Sequence, residues 1–397
     1  MRRPVAAMLA ALVGTAVPAF ARDVPPSLPP YTTAYQPQGV DERGVWMEAD
    51  EMERGLRDSK TLIADPKLNG YVRDVVCRTV GASRCGGVRI YVVRDAEFNA
   101  FMTPNGTMVV SSGLLLRIRD EAELAAVLGH EFAHFELRHG LNGFRQRRSA
   151  SDVAAWAGVI AANATTYRTA QTMQSIQVSA IGSMFAFSRE QERQADLLSM
   201  AYIKASPYDP GCFADIWDRM LNEGDATAHG RRQRSKRYDR ASFFATHPTN
   251  IERATYLRDL AVDMHKPGEA PREDDAPRYD IAMAAWRAQF LGDQLKLNDF
   301  EGTDYLLGEL AKTRWTPDLL FARGELYRSR GNPRDLVSAV GFYREAIAQD
   351  PTNAEAYRGM GLAQLRSRDP AGGDALKRYL VMRPDAPDGA MLSTLVQ

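Results

Sequence analysis

The stretch DEAELAAVLGHEFAHFELRHG, residues 120–140, predicts the helix on which the rest of the molecule depends. Asp120 is a favourable N-cap residue, and Glu123, three positions later, completes a start that resembles a capping box. Leu124 and Val127 begin an apolar face with helical spacing. The sequence therefore predicts a capped helix with one buried face.

Three residues of this predicted helix form the pattern H-E-x-x-H. His130 and His134 are four residues apart, so both imidazoles lie on one face and can bind the same tetrahedral metal ion. Glu131 reaches the same side and can act as a general base toward water at the metal. A buried histidine pair is the alternative, and a catalytic zinc needs a third protein ligand.

The stretch SREQERQADLLSM, residues 188–200, is polar in its first half and apolar in its second half. Glu192 can supply the third zinc ligand. Asp196, one turn later, can accept the second imidazole N–H of a ligand histidine, most simply His130, and such a carboxylate fixes the ring. The alternative is a solvated charged face.

The size and charge of the chain limit the classes of function. A chain of 397 residues is too long for one ordinary core and fits two domains. Lys and Arg together number 50, as do Asp and Glu, so no overall charge favours binding to nucleic acid. No run reaches 18 consecutive apolar residues, so we expect a soluble protein with at most peripheral membrane contact.

Changes in composition along the chain predict five segments. Residues 1–21 have a charged start, an apolar run and a small-x-small site, which are typical of a signal peptide cleaved after residue 21. An extended arm (22–45) and a domain of alternating helices and strands (46–265) follow. A Pro-rich, charged linker (266–280) precedes a helical region (281–397).

The helical region contains a repeat of 33–37 residues. Gly324 matches Gly361, and Tyr343 matches Tyr379. Small residues where helices cross, with an aromatic residue on the second helix, resemble the tetratricopeptide repeat. Such units stack into a curved solenoid, and the alternative is a helical bundle with accidental similarity.

Two of the three cysteines are close in sequence. Cys77 ends a helical pattern, and Cys85 precedes a predicted strand. An exported protein can form a disulfide between them. Buried free thiols remain the alternative.

Four motifs in order resemble metallopeptidase family 48, a group of gluzincins. They are NAFMTPNGTMVVSSGLL (99–115), HEFAH (130–134), SREQERQAD (188–196) and ATHPTNIERATYL (245–257). The resemblance implies a mainly α fold with a small β-sheet. It also implies a gluzincin-type zinc metallopeptidase domain, here followed by an α-helical tetratricopeptide-like repeat solenoid. The export signal and the repeats are most similar to the β-barrel assembly-enhancing type of this family.

The resemblance also implies roles for residues outside the H-E-x-x-H motif. Asn99 is expected near the scissile peptide, and the strand at GTMVVSSGLL could pair with an extended substrate. His247 and Arg253 are expected to line the cleft and to stabilise an oxyanion. His247 could instead be a fourth zinc ligand that keeps the enzyme latent. Apart from the resemblance, His139, His229 and His265 have no carboxylate partner in motif spacing and are predicted to lie on the surface.

The expected function is that of a periplasmic endopeptidase with one zinc per chain, held by His130, His134 and Glu192. Its substrates would be misfolded or unassembled exported proteins. The repeats could recruit these clients or an outer-membrane assembly machine. The alternative is a chaperone or adaptor of outer-membrane protein assembly with a latent peptidase site.

Overall fold

A computed structural model of the chain describes residues 28–148, 187–235, 241–242, 248–249, 251–264 and 274–396. The predicted signal peptide, His247 and His265 lie outside these ranges. Within them the protein is mainly helical with a small three-stranded sheet, as the sequence predicts. None of the helices described here has the length and hydropathy that crossing a bilayer requires.

Helices are numbered in chain order over the described residues. Those before residue 265 are α1 (Gly39–Arg57), α2 (Pro66–Val80), α3 (Ala82–Cys85), α4 (Ser112–Arg117), α5 (Glu121–Glu136), α6 (His139–Arg148), α7 (Arg189–Ala205), α8 (Cys212–Gly230) and α9 (Ile251–Met264). Those after residue 273 are α10 (Ala276–Met283), α11 (Arg287–Leu295), α12 (Phe300–Leu310), α13 (Pro317–Arg330), α14 (Pro333–Gln349), α15 (Ala354–Arg366), α16 (Ala371–Met382) and α17 (Gly389–Leu395).

The three-stranded sheet consists of β1 (Arg89–Val93), β2 (Ala100–Met102) and β3 (Thr107–Ser111), in the order β1-β3-β2. Strand β3 is parallel to β1 and antiparallel to β2. The strand predicted in GTMVVSSGLL is therefore present as β3, but it is the central one of the three described strands, so the prediction that it could pair with an extended substrate is wrong. Of the two edge strands described, β2 is the one that contacts α5.

The second half of the same stretch forms helix α4 rather than strand. The Ser111 hydroxyl accepts a hydrogen bond from the Leu114 N–H at 3.1 Å and so caps this helix. Serine is a preferred N-cap residue because its oxygen satisfies an N–H that the helix leaves open. A further short antiparallel pair joins β4 (Ala241–Ser242) to β5 (Pro248–Thr249).

The disulfide that the sequence left open is present. Cys77, near the end of α2, is bonded to Cys85 at the end of α3. The bridge closes a short loop across the turn at Gly81, whose φ is +89°. Cys212 is a buried free thiol.

The predicted bounds of the extended arm and of the linker are both partly wrong. Helix α1 begins at Gly39, inside the predicted arm. Helix α10 begins at Ala276, inside the predicted linker, and its Tyr279 is only 2% exposed and donates a hydrogen bond to the Leu115 carbonyl. Composition misled the prediction because these helices bury only a few apolar residues among many charged ones.

The core of the peptidase-like region continues into the helices that follow it. A single cluster of buried apolar residues extends from Ile63 to Leu326. Two polar contacts also join helix α11 to the peptidase-like region. Asp293 pairs with Arg94, and Gln294 accepts a hydrogen bond from Arg117 at 2.9 Å. The helices after residue 273 are therefore docked on the preceding fold rather than joined only by a linker.

The repeat residues lie where helices cross. A Cβ atom at Gly324 would come 2.6 Å from the Tyr343 ring, and one at Gly361 would come 2.8 Å from the Gly372 carbonyl oxygen. Tyr343 and Tyr379 are 0% and 3% exposed. Small residues thus permit close packing of successive helices, and the tetratricopeptide-like character of these helices remains a prediction.

Candidate metal centre

Helix α5 has the start that the sequence predicts. The Asp120 carboxylate accepts a hydrogen bond from the Glu123 N–H at 2.7 Å, and Glu123 Oε2 accepts one from the Arg119 N–H at 2.9 Å. All residues of the helix from Glu121 to Phe135 are buried. Burying two histidines and a glutamate on such a helix costs free energy of folding unless they hydrogen-bond, form ion pairs or bind a metal ion.

Helix α7 crosses α5 next to the H-E-x-x-H motif. It begins with a capping box in which Ser188 and Gln191 exchange hydrogen bonds of 3.2 and 3.0 Å. A Cβ atom at Gly129 would lie only 3.0 Å from the Ser199 hydroxyl, so glycine allows the two helices to approach. This crossing brings the first turn of α7 over His130.

The three predicted ligands converge at this crossing. His130 Nε2 lies 3.0 Å from His134 Nε2. The two Glu192 carboxylate oxygens lie 3.4 Å from His130 Nε2 and 3.6 Å from His134 Nε2. One ligand atom from each residue falls within 4.8 Å of the others, and the three residues are 2–4% exposed.

This donor set fits a metal ion. Two imidazole nitrogens and one carboxylate oxygen are the ligands of a catalytic zinc site, which keeps a fourth position open. Without a metal ion, a carboxylate and two imidazoles would face one another inside the protein, with the Arg253 guanidinium beside them. The described residues could therefore hold a metal ion.

Asp196 occupies the position that the sequence predicts behind His130. Its Oδ1 lies 3.0 Å from His130 Nδ1, and the residue is 0% exposed. Burial raises the pKa of Asp196, but Arg253 and His130 outweigh burial and hold it below its usual value. The carboxylate therefore remains ionised and orients the ring of His130.

Protonation of His130 competes with metal binding. Burial and Arg253 lower the pKa of His130, but Asp196 and Glu192 outweigh both, so the pKa is raised above its usual value. Because a metal binds the deprotonated nitrogen, metal affinity at this site should fall as the pH falls.

Arg253 is buried against the candidate ligands, with one guanidinium nitrogen 3.2 Å from His130 Nε2, and its predicted role as an oxyanion donor stays a prediction. The residue is 4% exposed and donates two hydrogen bonds to Asp196, of 2.6 and 2.9 Å. Another guanidinium nitrogen lies 3.1 Å from Glu192 Oε2. Arg253 also stacks over the Trp217 ring at 4.7 Å. Its guanidinium therefore offsets the charge of two buried carboxylates, those of Asp196 and Glu192.

The structure buries both Glu131, the glutamate of the H-E-x-x-H motif, and Asn99. Glu131 follows His130 on α5 and is 2% exposed. Asn99 immediately precedes β2 and is 5% exposed. Its side-chain oxygen is buried and has no hydrogen-bond partner among the described residues.

His139 was missed by the sequence analysis, which placed it on the surface. It is 3% exposed, and its Nδ1 lies 2.9 Å from His134 Nδ1. Burial lowers the pKa of His139. The only sequence signal was its position five residues after His134, just beyond the end of α5.

A shallow pocket lies beside His134. Its lining is partly apolar, from β2, the turn after it, α5, α6 and the segment before α7, and partly charged: Met102, Pro104, Phe135, Leu141 and Phe187, with Glu42 and Arg138. The Phe187 ring also stacks on His134, with centroids 3.9 Å apart and an interplanar angle of 17°.

Comparison with known proteins agrees with this geometry. The family model described as "Peptidase family M48" matches residues 65–261. This range contains β1–β3, α5, α7 and most of α9, and so includes every residue of the candidate metal centre.

Similar proteins carry related names. The beta-barrel assembly-enhancing protease of Escherichia coli K12 is 28% identical over 228 residues, which cover 55% of this chain and 46% of that protein. The mitochondrial metalloendopeptidase OMA1 of Schizosaccharomyces pombe is 30% identical over 185 residues, 46% of this chain and 50% of that protein. The metalloprotease LoiP of E. coli K12 is 28% identical over 239 residues, 57% of this chain and 84% of that protein. The chain spans about half the length of the beta-barrel assembly-enhancing proteases that it matches.

Proposed function

This chain belongs to peptidase family M48, and on that premise we propose that it is a zinc-dependent endopeptidase. The observation that supports this most strongly is the convergence of His130, His134 and Glu192 on two buried helices, with Glu131 beside them. Buried charged groups often stabilise a fold no more than apolar residues of similar volume would, so their convergence here favours a functional role.

Zinc would be held by one atom each from His130, His134 and Glu192. When bound, it supplies Lewis-acid chemistry, lowering the pKa of water and polarising a carbonyl. Asp196 holds the His130 ring from behind, and Arg253 offsets the negative charge of Asp196 and Glu192. These residues keep the donor set assembled before a substrate arrives.

Glu131 is the residue that moves the proton. Its carboxylate accepts a proton from the attacking water and passes it to the leaving amine, as a general base and then a general acid. Its position between the two histidines on α5 places it on the same side of the helix as the donors.

Strand β2 and the pocket beside His134 supply a surface for an extended polypeptide. The edge of β2 can pair with a substrate backbone, which gives affinity without a demand for sequence. Asn99, at the start of that strand, can accept a hydrogen bond from a peptide N–H through its unsatisfied oxygen. The pocket beside His134 adjoins this strand, because Met102 of β2 lines it.

The proposed substrates are misfolded or unassembled exported proteins, including those of the outer membrane, and the proposed compartment is the periplasm. Two observations support this: the signal-peptide pattern of residues 1–21, and the name of the E. coli relative, which couples a protease to beta-barrel assembly. The repeats of α13–α17 would recruit clients or assembly partners. His247 remains a predicted oxyanion donor or latent-state ligand.

The direct test is cleavage of an unfolded polypeptide by the purified protein. Wild type loaded with zinc should cleave it, and Glu131→Gln should retain zinc while losing hydrolysis. Glu345→Gln, an exposed residue of α14, is the matched control and should behave as wild type. Equal cleavage by Glu131→Gln would contradict the proposal. Zinc binding without cleavage by wild type would favour the alternative, a chaperone or adaptor with a latent site.

A further inference from the structure

The two candidate ligand histidines have different partners at their second ring nitrogen. His130 Nδ1 faces the Asp196 carboxylate at 3.0 Å, a charged partner. His134 Nδ1 faces His139 Nδ1 at 2.9 Å, and both rings are buried. An imidazole in this position can orient a neighbouring ligand only if it has the right tautomer.

The chain reverses direction to place His139 there. Helix α5 ends with Leu137 as its C-cap, and Arg138 has a φ of +57°. A non-glycine residue in this region is strained, so the turn needs support from elsewhere. Arg138 receives it from Glu42, 3.4 Å away, and from the Leu28 carbonyl at 3.3 Å.

The contact between His139 and Gln194 fixes the tautomer of His139. Gln194 Nε2 donates a hydrogen bond to Glu190 Oε1 at 3.0 Å, because a carboxylate can only accept. Gln194 Oε1 therefore faces His139 Nε2, at 3.1 Å, and accepts its N–H. The Nδ1 of His139 is then an acceptor, which receives the Nδ1–H of His134.

We propose that His139 and Gln194 form an uncharged hydrogen-bond relay that sets the tautomer and ring orientation of His134. With its proton on Nδ1, His134 presents the lone pair of Nε2 toward Glu192 and His130. The stacked Phe187 ring holds the same imidazole in plane. His139 is thus a positioning residue, and this role rests on the proposed metal site.

The test measures zinc affinity without substrate, by competition with a chromophoric chelator. His139→Phe keeps the bulk of the ring but removes the acceptor, and should weaken zinc binding about 10–100-fold. His139→Gln restores an acceptor oxygen and should recover part of this loss. His229→Phe, at an exposed position of α8, is the matched control and should bind as wild type.

A second variant tests the relay without touching the buried ring. Gln194 is exposed, so Gln194→Leu should fold normally and weaken zinc binding by about 2–10-fold, the worth of one hydrogen bond. Cobalt-substituted protein gives an independent signal, since the ligand-field spectrum should change in His139→Phe and stay unchanged in His229→Phe.

Wild-type zinc affinity in both His139→Phe and Gln194→Leu would overturn the relay. The same experiment separates this failure from a failure of the proposed function. His134→Ala should lose zinc, and if it does not, the metal site itself is wrong. If His139→Phe weakens binding but zinc-loaded wild type cleaves nothing, the relay stands and the peptidase proposal falls.

Discussion

Replacing Asp196 by asparagine tests whether the buried carboxylate orients a metal ligand or only stabilises the fold. The change keeps the shape of the side chain and removes its charge. Asp196 contacts His130 Nδ1 at 3.0 Å and receives two hydrogen bonds from Arg253. The substitution therefore removes an anion from a site that is 0% exposed.

The substitution should lower both the free energy of unfolding and the affinity for zinc. Removing one partner of a buried ion pair costs about 3–5 kcal/mol, and the lower end applies here because Arg253 still has Glu192 at 3.1 Å. Loss of the carboxylate behind a ligand histidine should weaken zinc affinity by roughly 10–100-fold. Asp196→Ala should weaken zinc affinity, or activity, by a similar factor.

The assay combines urea unfolding of the metal-free protein with zinc affinity from chelator competition. The control is Glu223→Gln, which breaks another buried pair, Arg117–Glu223, whose side chains are 7% and 9% exposed. This variant should lose a similar free energy of unfolding and keep its zinc affinity. If Asp196→Asn also loses stability but keeps wild-type zinc affinity, Asp196 is only a structural partner of Arg253 and our reasoning is refuted.

Three other predictions concern acid stability, substrate contact and the disulfide. Burial raises the pKa of Glu53, but hydrogen bonds from Arg89 and Tyr91 outweigh it and lower the pKa to about 2. Glu53 therefore stabilises the fold above its unfolded pKa of about 4.3, and this contribution of about 2–3 kcal/mol is lost as pH falls toward 2. Unfolding free energy measured against pH should be flatter in this range for Glu53→Gln, and an unchanged slope would contradict the assignment. Asn99→Ala should lower kcat/KM about tenfold, the worth of about 1.4 kcal/mol, with zinc content and stability unchanged; unchanged kinetics would exclude a substrate contact. Replacing Cys77 and Cys85 by serine should lower the free energy of unfolding in urea by about 2–3 kcal/mol, because the unfolded chain regains the entropy of the short loop. A reducing agent should have the same effect on wild type. Equal stability of the serine variant and wild type would refute this prediction.

The elements that the sequence predicts well are those specified by local patterns. The cap of α5 depends on residues three apart and forms as expected. The spacing of His130 and His134 follows from helical geometry alone. The pairing with Glu192 was found because chemistry required a third donor, not because any pattern specified the crossing of two helices.

The errors arise where long-range contacts decide the structure. His139 is buried because Arg138 takes a positive φ, supported by Glu42 and by the Leu28 carbonyl, which lie about 100 residues away in sequence. No local pattern indicates that turn. The contacts of Arg253 are likewise long-range, since its guanidinium pairs with Glu192 and Asp196, about 60 residues earlier in the sequence.

The end of the predicted linker was misplaced for a similar reason. The charged, Pro-rich composition before Tyr279 is typical of a linker, yet Tyr279 and Met283 are buried against the preceding fold. The order of the sheet was also beyond local patterns, since the pairing of β3 with β1 joins strands separated by β2. Sequence periodicity predicts that a strand exists, but not which strand lies at the edge.

The most direct test of the central claim is the zinc content of purified wild type and of Glu192→Ala, measured by elemental analysis after removal of loosely bound metal. Our account predicts about one zinc per chain in wild type and loss of zinc in the variant, because α7 supplies the third ligand to the two histidines of α5. Circular dichroism should show that the variant remains folded. Full zinc retention by folded Glu192→Ala would contradict the account, because the metal would then be held by a different set of residues.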